Sequence, residues 1–202
     1  MESVLDRVIK QNTENVNLLK TKDYNIFSVL QIQSKEVLIC RMIADLLNPR
    51  GQHGAGAEYL KIFLRDCLGM EKMDTKLADQ AIVTAEYAID DERRIDIVIE
   101  IGSYFLLVEV KIYAADQKSQ CFDYYQYAKR RDAQAKVYYL TLDGHRPGKD
   151  STSSGSQSVP EEDIVCLSFR VHILNWLKAC KSCENTGMVP ILEQFIQNIE
   201  QI

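Results

Sequence analysis

Two carboxylates and a lysine are spaced along the chain so that a β-hairpin would bring them together. Asp96 precedes Glu109, and Lys111 follows two residues later. Gly102-Ser103 lies midway and predicts a two-residue turn, in which the numbers of paired residues sum to 205. Asp96 then faces Glu109 across the ladder, where opposed Cβ atoms are about 5 Å apart and like charges repel each other. The pair therefore predicts a cation between the carboxylates.

The chemistry that suits this set is phosphodiester hydrolysis by a hard divalent cation held on carboxylate oxygens. Glu109 and Lys111 are two residues apart on a strand, so they share one face with Asp96. Gln120 and Tyr124 are four residues apart and share one face of the next helix. A lone Glu-x-Lys is commonplace, so the interpretation depends on the whole set occurring together.

Alternation along the hairpin predicts one core-facing side. Its expected apolar pairs are Ile95 with Val110, Ile97 with Val108, and Ile99 with Leu106. Further strands are predicted at about 81–90, 136–142 and 164–169. Helices are predicted at 1–20, at 35–47 with Ser34 as the cap, at 57–68, 116–131 and 171–182, and from Ile191.

These elements predict an α/β fold whose central mixed β-sheet, a three-strand antiparallel meander plus further strands, is flanked by α-helices. We expect a single domain over residues 1–202, with a helical part at 1–70, a sheet core at 81–169 and C-terminal helices at 170–202. Residues 143–163 are rich in Gly and Ser and predict a mobile polar loop within the sheet core.

Composition and charge narrow the class of protein. The chain has 202 residues, of which 46% are hydrophobic and 26% charged, as in a soluble globular protein. No apolar run approaches the ~20 residues that span a bilayer, and the N-terminus lacks a signal-peptide core, so we expect a cytoplasmic protein outside the membrane. The net charge is −5. Residues 93–136 nevertheless hold eight basic and six acidic residues, so the hairpin region is less acidic than the rest.

Cys180 and Cys183 form a Cys-x-x-Cys pair among six cysteines. A zinc site would need a second pair, and the other cysteines lack ligand spacing. Without a secretory signal we expect reduced, packed thiols. A redox or metal protein built on this pair is an alternative, and it would bind stoichiometric zinc or show iron-sulfur absorbance.

The order Asp96, Glu109-Val110-Lys111, Gln120-x-x-x-Tyr124 resembles the PD-(D/E)XK nuclease superfamily in its QxxxY form. Upstream, Glu36 precedes a leucine pair, a proline and His53-Gly54, which is similar to a block in a bacterial and prophage-associated branch of that superfamily. The resemblance covers most of the chain, from about residue 24 to 169. Two departures are Ile95, where the superfamily's name has Pro, and Ile39-Cys40, where the block has a polar pair.

The resemblance implies a restriction-endonuclease-like fold and a Mg²⁺- or Mn²⁺-dependent deoxyribonuclease in bacterial defence, repair or a mobile element. Asp96, Glu109 and the Val110 carbonyl would bind the metal, and Glu36 would approach from a helix as a metal or water ligand. Lys111 would orient the attacking water and stabilise the transition state.

The same resemblance implies that Gln120 and Tyr124 would hold Lys111, the DNA backbone or the leaving strand. DNA is the expected partner, RNA is also compatible, and cleavage of both strands would suit a homodimer. Candidate substrate-binding residues are His53, Lys129 and Arg130, although a loop histidine is as often a turn residue and a basic run at a helix end is usually solvated.

A rival hypothesis is a nuclease-like fold that binds nucleic acid or an assembly without hydrolysis, because one fold can host unrelated functions. Glu86, on the strand before the hairpin, could line the site, but a solvated strand carboxylate is the simpler interpretation. Tyrosines 124, 125, 127, 138 and 139 could stack on bases, although core packing is expected for most of them.

Overall fold

A five-stranded mixed β-sheet forms the centre of the computed structural model, which describes residues 24–71, 73–183 and 186–202. Its strands lie in the order β1, β2, β3, β4, β7. The first three pair antiparallel, and β3 with β4 and β4 with β7 pair parallel. Their bounds are β1 Ile82–Ala88, β2 Arg94–Ile101, β3 Tyr104–Lys111, β4 Val137–Thr141 and β7 Ile164–Ser168. The predicted α/β fold with its antiparallel meander is confirmed.

Helices cover both faces of this sheet. They are α1 Ile26–Val29, α2 Glu36–Leu47, α3 Glu58–Asp66, α4 Thr75–Ala78, α5 Gln120–Lys129, α6 Lys149–Thr152, α7 Leu174–Lys181 and α8 Val189–Gln201. A π-helix, Phe169–Ile173, joins β7 to α7, and short 3-10 helices span Glu161–Asp163 and Thr186–Met188. The helix expected at 1–20 lies outside the described residues.

Two hydrophobic cores lie on opposite faces of the sheet. The α2 core contains side chains from α2, α3, α7 and α8, including Trp176 and Phe195. The α5 core contains one face of α5, including Tyr124, together with Leu107 and Val137 from the sheet. Because both faces are covered, β3 is buried along almost its whole length.

The hairpin register is confirmed, with pairs that run from Ile97–Val108 to Ile101–Tyr104. Gly102 has a φ of 57°, a left-handed conformation that glycine adopts at little cost. The N-terminus of α2 differs from the prediction, because its N-cap residue is Lys35 and not Ser34. The Lys35 side chain makes no capping hydrogen bond.

Residues 143–163, predicted as a mobile polar loop, contain short regular elements. They contain α6, the short hairpin of β5 Ser153–Ser154 and β6 Gln157–Ser158, and a 3-10 helix. Buried Ser151 accepts a hydrogen bond from the Cys121 N–H at 3.3 Å, and Val159 packs in the α5 core. These two contacts attach the segment to α5 and its core, and the Gly- and Ser-rich composition of the segment gives no sign of them.

No helix among the described residues is long and apolar enough to cross a membrane. The assignment of residues 1–202 to a single domain stays a prediction.

Candidate active site

The backbone pairing of β2 with β3 stops at Ile97–Val108, which leaves an opening between the two strands beside Asp96. There, carboxylates accept the β3 backbone hydrogen bonds that a paired strand would otherwise accept. The Val110 N–H donates to Asp96 Oδ2 at 2.7 Å. Two residues on, the Ile112 N–H donates to Glu36 Oε2 at 2.8 Å, which brings the N-terminus of α2 to the same strand. In a strand the N–H and C=O of one residue point the same way, so the Val110 carbonyl also points towards this opening.

At the level of the opening, the alternation of side chains between the two faces of the sheet shifts by one residue in both β1 and β2. Ile95 and Tyr87 pack against the α5 core, whereas the alternate residues nearer the hairpin turn pack against the α2 core. The predicted pairing of Ile95 with Val110 on one apolar side is therefore wrong. Between the two phases lie Asp96 and, at the facing position of β1, Glu86, whose φ is 56°. A non-glycine residue persists in that conformation only when its surroundings hold it there.

Glu109 and Lys111 form a buried ion pair beside this opening. Glu109 is 1% exposed, and its Oε1 lies 2.5 Å from the Lys111 ammonium. Its second oxygen, Oε2, is buried and has no hydrogen-bond partner among the described residues. The Asp96 carboxyl lies within hydrogen-bonding reach of Glu109. The parallel ladder with β4, which places Glu109 beside Tyr139, fixes the position of the pair.

Burial and mutual repulsion set the charge state of the site. Burial raises the pKa of Asp96 to about 6, against the lowering effect of the Val110 N–H. Burial and then the Asp96 charge raise the pKa of Glu109 well above its usual value. Burial alone would lower the pKa of Lys111, but the charge and hydrogen bond of Glu109 outweigh it and the pKa is raised. The site therefore holds one firm positive charge and too much negative charge for its burial.

The sequence matches the PD-(D/E)XK nuclease superfamily over residues 24–197. The chain belongs to the PD-(D/E)XK nuclease superfamily. Comparisons with curated proteins and with solved structures give no match. Membership agrees with the mixed sheet and flanking helices, which form a restriction-endonuclease-like fold. The finer assignment to the QxxxY branch stays a prediction.

Within this superfamily fold, Gln120 and Tyr124 brace strand β2 and do not bind Lys111. Both are buried, and Gln120 Nε2 donates to the Tyr124 hydroxyl at 3.1 Å, as their shared helix face predicts. The Tyr124 hydroxyl in turn donates to the Arg94 carbonyl. Because Arg94 is two residues before Asp96, this chain of hydrogen bonds holds the strand that carries Asp96.

The substrate-binding role of His53 stays a prediction, and the residue lies in the loop between α2 and α3. It is 3% exposed; its Nδ1 accepts the Ala55 N–H at 3.0 Å, and its Nε2 lies 3.0 Å from the Asn48 carbonyl. Its ring stacks on Tyr59 at 4.8 Å. A ring engaged in this way organises the loop between α2 and α3.

Lys129 and Arg130 lie at the C-terminal end of α5, where they contact residues other than Asp96 and Glu109. The Lys129 ammonium pairs with Asp163 at 3.1 Å and lies 5.1 Å from the centre of the Tyr125 ring. The Arg130 guanidinium lies 5.6 Å from the centre of the Tyr127 ring. The substrate-binding role of Lys129 and Arg130 stays a prediction.

Glu86 is the acidic residue that sequence patterning undervalues. Burial raises the pKa of the Cys40 thiol. The negative charges of Asp96, Glu36, Glu109 and Glu86 raise it further, so Glu86 acts on the same thiol as the other three carboxylates. Regular alternation gives no signal for it, because its left-handed backbone appears only in the structure.

The six cysteines are free thiols in the structure. Cys180 is buried in the α2 core, and Cys183 is half-buried with its thiol 3.9 Å from the Ala179 carbonyl.

Proposed function

We propose that this protein is a Mg²⁺- or Mn²⁺-dependent nuclease that hydrolyses phosphodiester bonds in DNA. The observation that carries the proposal is Glu109 Oε2, a buried carboxylate oxygen without a donor, next to a second carboxyl on Asp96. Buried like charges in contact require a proton or a cation between them. Asp96, Glu109 and the Val110 carbonyl would hold the ion, and Glu36 would bind one of its waters.

The donor set fits a hard cation that keeps much of its water. In the described part of the chain, no three acidic, histidine or cysteine side chains lie close enough together to cage a metal. Mg²⁺ binds through one or two carboxylates and retains several waters, so it does not need such a cage. The donors proposed here are carboxylate and carbonyl oxygens, which suit an oxygen-preferring ion.

When bound, the metal would lower the pKa of a coordinated water and neutralise charge on the scissile phosphate. Lys111, positive at neutral pH because its pKa is raised, would orient the attacking water and stabilise the extra phosphate charge of the transition state. Glu109 Oε1 lies 2.5 Å from that ammonium, so the ion pair restricts the position of the Lys111 side chain. Tyr124 would keep Asp96 in place through β2.

DNA as substrate and a role in bacterial defence, repair or a mobile element complete the proposal, and both rest on the resemblance of the motif and its upstream Glu36 block. A cytoplasmic location is also proposed, because no apolar run in the sequence approaches the ~20 residues that span a bilayer. A homodimer would supply two sites for the two strands of a duplex.

Cleavage of single- and double-stranded DNA, with RNA as a parallel substrate, tests the proposal in EDTA, Mg²⁺ and Mn²⁺. We expect metal-dependent cleavage that falls at least about 100-fold in Asp96→Asn and Lys111→Ala, the scale of losing a transition-state charge contact. Matched controls are Asp91→Asn and Lys178→Ala, whose side chains are exposed. Unchanged activity in the first pair would refute the assigned roles, and cleavage of RNA alone would refute the DNA substrate.

The second candidate, a module that binds nucleic acid without hydrolysis, is favoured by one observation. The Lys111 ammonium already occupies Glu109 Oε1 and neutralises part of the charge that a metal would neutralise. Salt-sensitive DNA binding with no cleavage in either metal would support this candidate over the nuclease.

A further inference from the structure

Tyr113 is an exposed aromatic residue at the edge of the acidic site. It is 68% exposed, the highest value among the large hydrophobic side chains of the described residues. The tyrosines first considered for base stacking behave differently: 124, 125, 138 and 139 are buried in the cores. Tyr113 follows Ile112, whose N–H is held by Glu36, so its backbone lies one residue from the site.

The segment that carries Tyr113 is anchored on both sides. Glu36 holds Ile112 before it. After it, Asp116 accepts hydrogen bonds from the Tyr139 hydroxyl and the Gly148 N–H, each at 2.7 Å. An aromatic ring on a short anchored segment loses little conformational freedom when a flat ligand stacks on it.

Lys35 is a basic residue next to Glu36, on the α2 side of the Ile112–Glu36 hydrogen bond. It precedes Glu36, just as Tyr113 follows Ile112, and its side chain is exposed. No carboxylate among the described residues lies within ion-pair distance of its ammonium. The Ile112–Glu36 hydrogen bond thus joins the two segments that carry an exposed aromatic ring and an exposed cation. Proteins use this combination to bind a base and a backbone phosphate of a single strand.

We propose that Tyr113 and Lys35 bind an unpaired nucleotide next to the scissile phosphate, with its base stacked on Tyr113 and a backbone phosphate at Lys35. The substrate class is single-stranded DNA or a frayed duplex end, because a base inside a duplex has both faces covered by its neighbours. This inference rests on the proposed nuclease function and names the form of substrate that the site takes.

The test measures the binding of a single-stranded oligonucleotide that carries 2-aminopurine, in the Asp96→Asn background so that the DNA stays intact. We expect fluorescence quenching on binding, retained in Tyr113→Phe and Tyr113→Trp and lost in Tyr113→Ala. Affinity should fall about 5- to 150-fold in Tyr113→Ala, the range for losing one stacked base. The matched control is Tyr104→Ala, a 37% exposed tyrosine at the other end of β3, which should bind normally.

Salt dependence separates the two residues. Lys35→Ala should reduce the slope of log affinity against log salt by about 0.7, the contribution of one phosphate contact on a single strand, whereas Tyr113→Ala should leave the slope unchanged. Full affinity and full quenching in Tyr113→Ala would overturn the stacking site while the nuclease proposal stands. Failure of the unmodified protein to cleave any DNA would instead overturn the nuclease proposal, and this inference with it.

Discussion

Replacing Asp96 with asparagine should stabilise the metal-free protein although it removes the activity. Burial raises the pKa of Asp96 from 3.8 to about 6. Between these values the folded protein binds more protons than the unfolded chain, so stability falls as pH rises, and the full penalty is present above about pH 6. The shift corresponds to about 3 kcal/mol. Asparagine removes the charge but keeps an oxygen that can accept the Val110 N–H.

Thermal unfolding in EDTA at pH 8 and pH 5 measures the effect. For a chain of this size 1 kcal/mol moves the Tm by about 2–4 °C, so we expect Asp96→Asn to gain about 6–12 °C at pH 8. The gain should shrink as pH falls through 6, because the native carboxyl is then protonated and carries no charge. Asp91→Asn, at an exposed carboxylate, should stay within about 0.5 kcal/mol of the unmodified protein. A lower Tm at pH 8, or a gain that ignores pH, would refute the burial argument.

Three other predictions follow from the same geometry. Mg²⁺ at 100 times its Kd should stabilise the unmodified protein by about 2.7 kcal/mol in urea unfolding and leave the asparagine variant unmoved; equal shifts would place the metal elsewhere. Tyr124→Phe should cost about 1–3 kcal/mol and lower activity, since it removes the hydroxyl that donates to the Arg94 carbonyl and accepts from the buried Gln120 amide, whereas Tyr125→Phe should lower stability alone; intact activity in the former would contradict the bracing role. Glu86→Gly should stabilise by about 1 kcal/mol in EDTA, because glycine adopts a φ of 56° without strain, and a loss of stability would show that Glu86 makes a needed contact.

The register of the hairpin could be predicted from the sequence because two independent signals agree. The Gly102-Ser103 turn and the alternation of apolar residues both give a sum of 205, and the structure has that register from Ile97 onward. The phase change at Asp96 could not be predicted. It comes from the end of the ladder and from the left-handed backbone of Glu86, which depend on tertiary contacts and leave no local pattern.

The contact partners of the candidate site residues could be predicted from the sequence only in part. Gln120 and Tyr124 do share a helix face and contact each other, but their remaining hydrogen bond goes to β2, which spacing along α5 cannot reveal. His53 and Lys129 have the residue types of a substrate site, yet their neighbours are Tyr59 and Asp163, far away in the sequence or in another element. Such partners are fixed only when the layers pack.

The opening of the β2–β3 ladder and the acidic site are one structural feature. A strand that loses its neighbour leaves buried N–H groups that must find acceptors, and here the acceptors are carboxylates from β2 and α2. One oxygen of each carboxylate accepts a backbone N–H of β3 or of the residue that follows it, so the fold fixes the carboxylate's position before any ligand binds. Glu109, on the strand between them, needs no such bond and keeps a buried oxygen without a donor. The fold thus holds Asp96 and Glu36 in place, and a bound cation would stabilise the buried Glu109 Oε2 most, because this oxygen has no hydrogen-bond donor among the described residues.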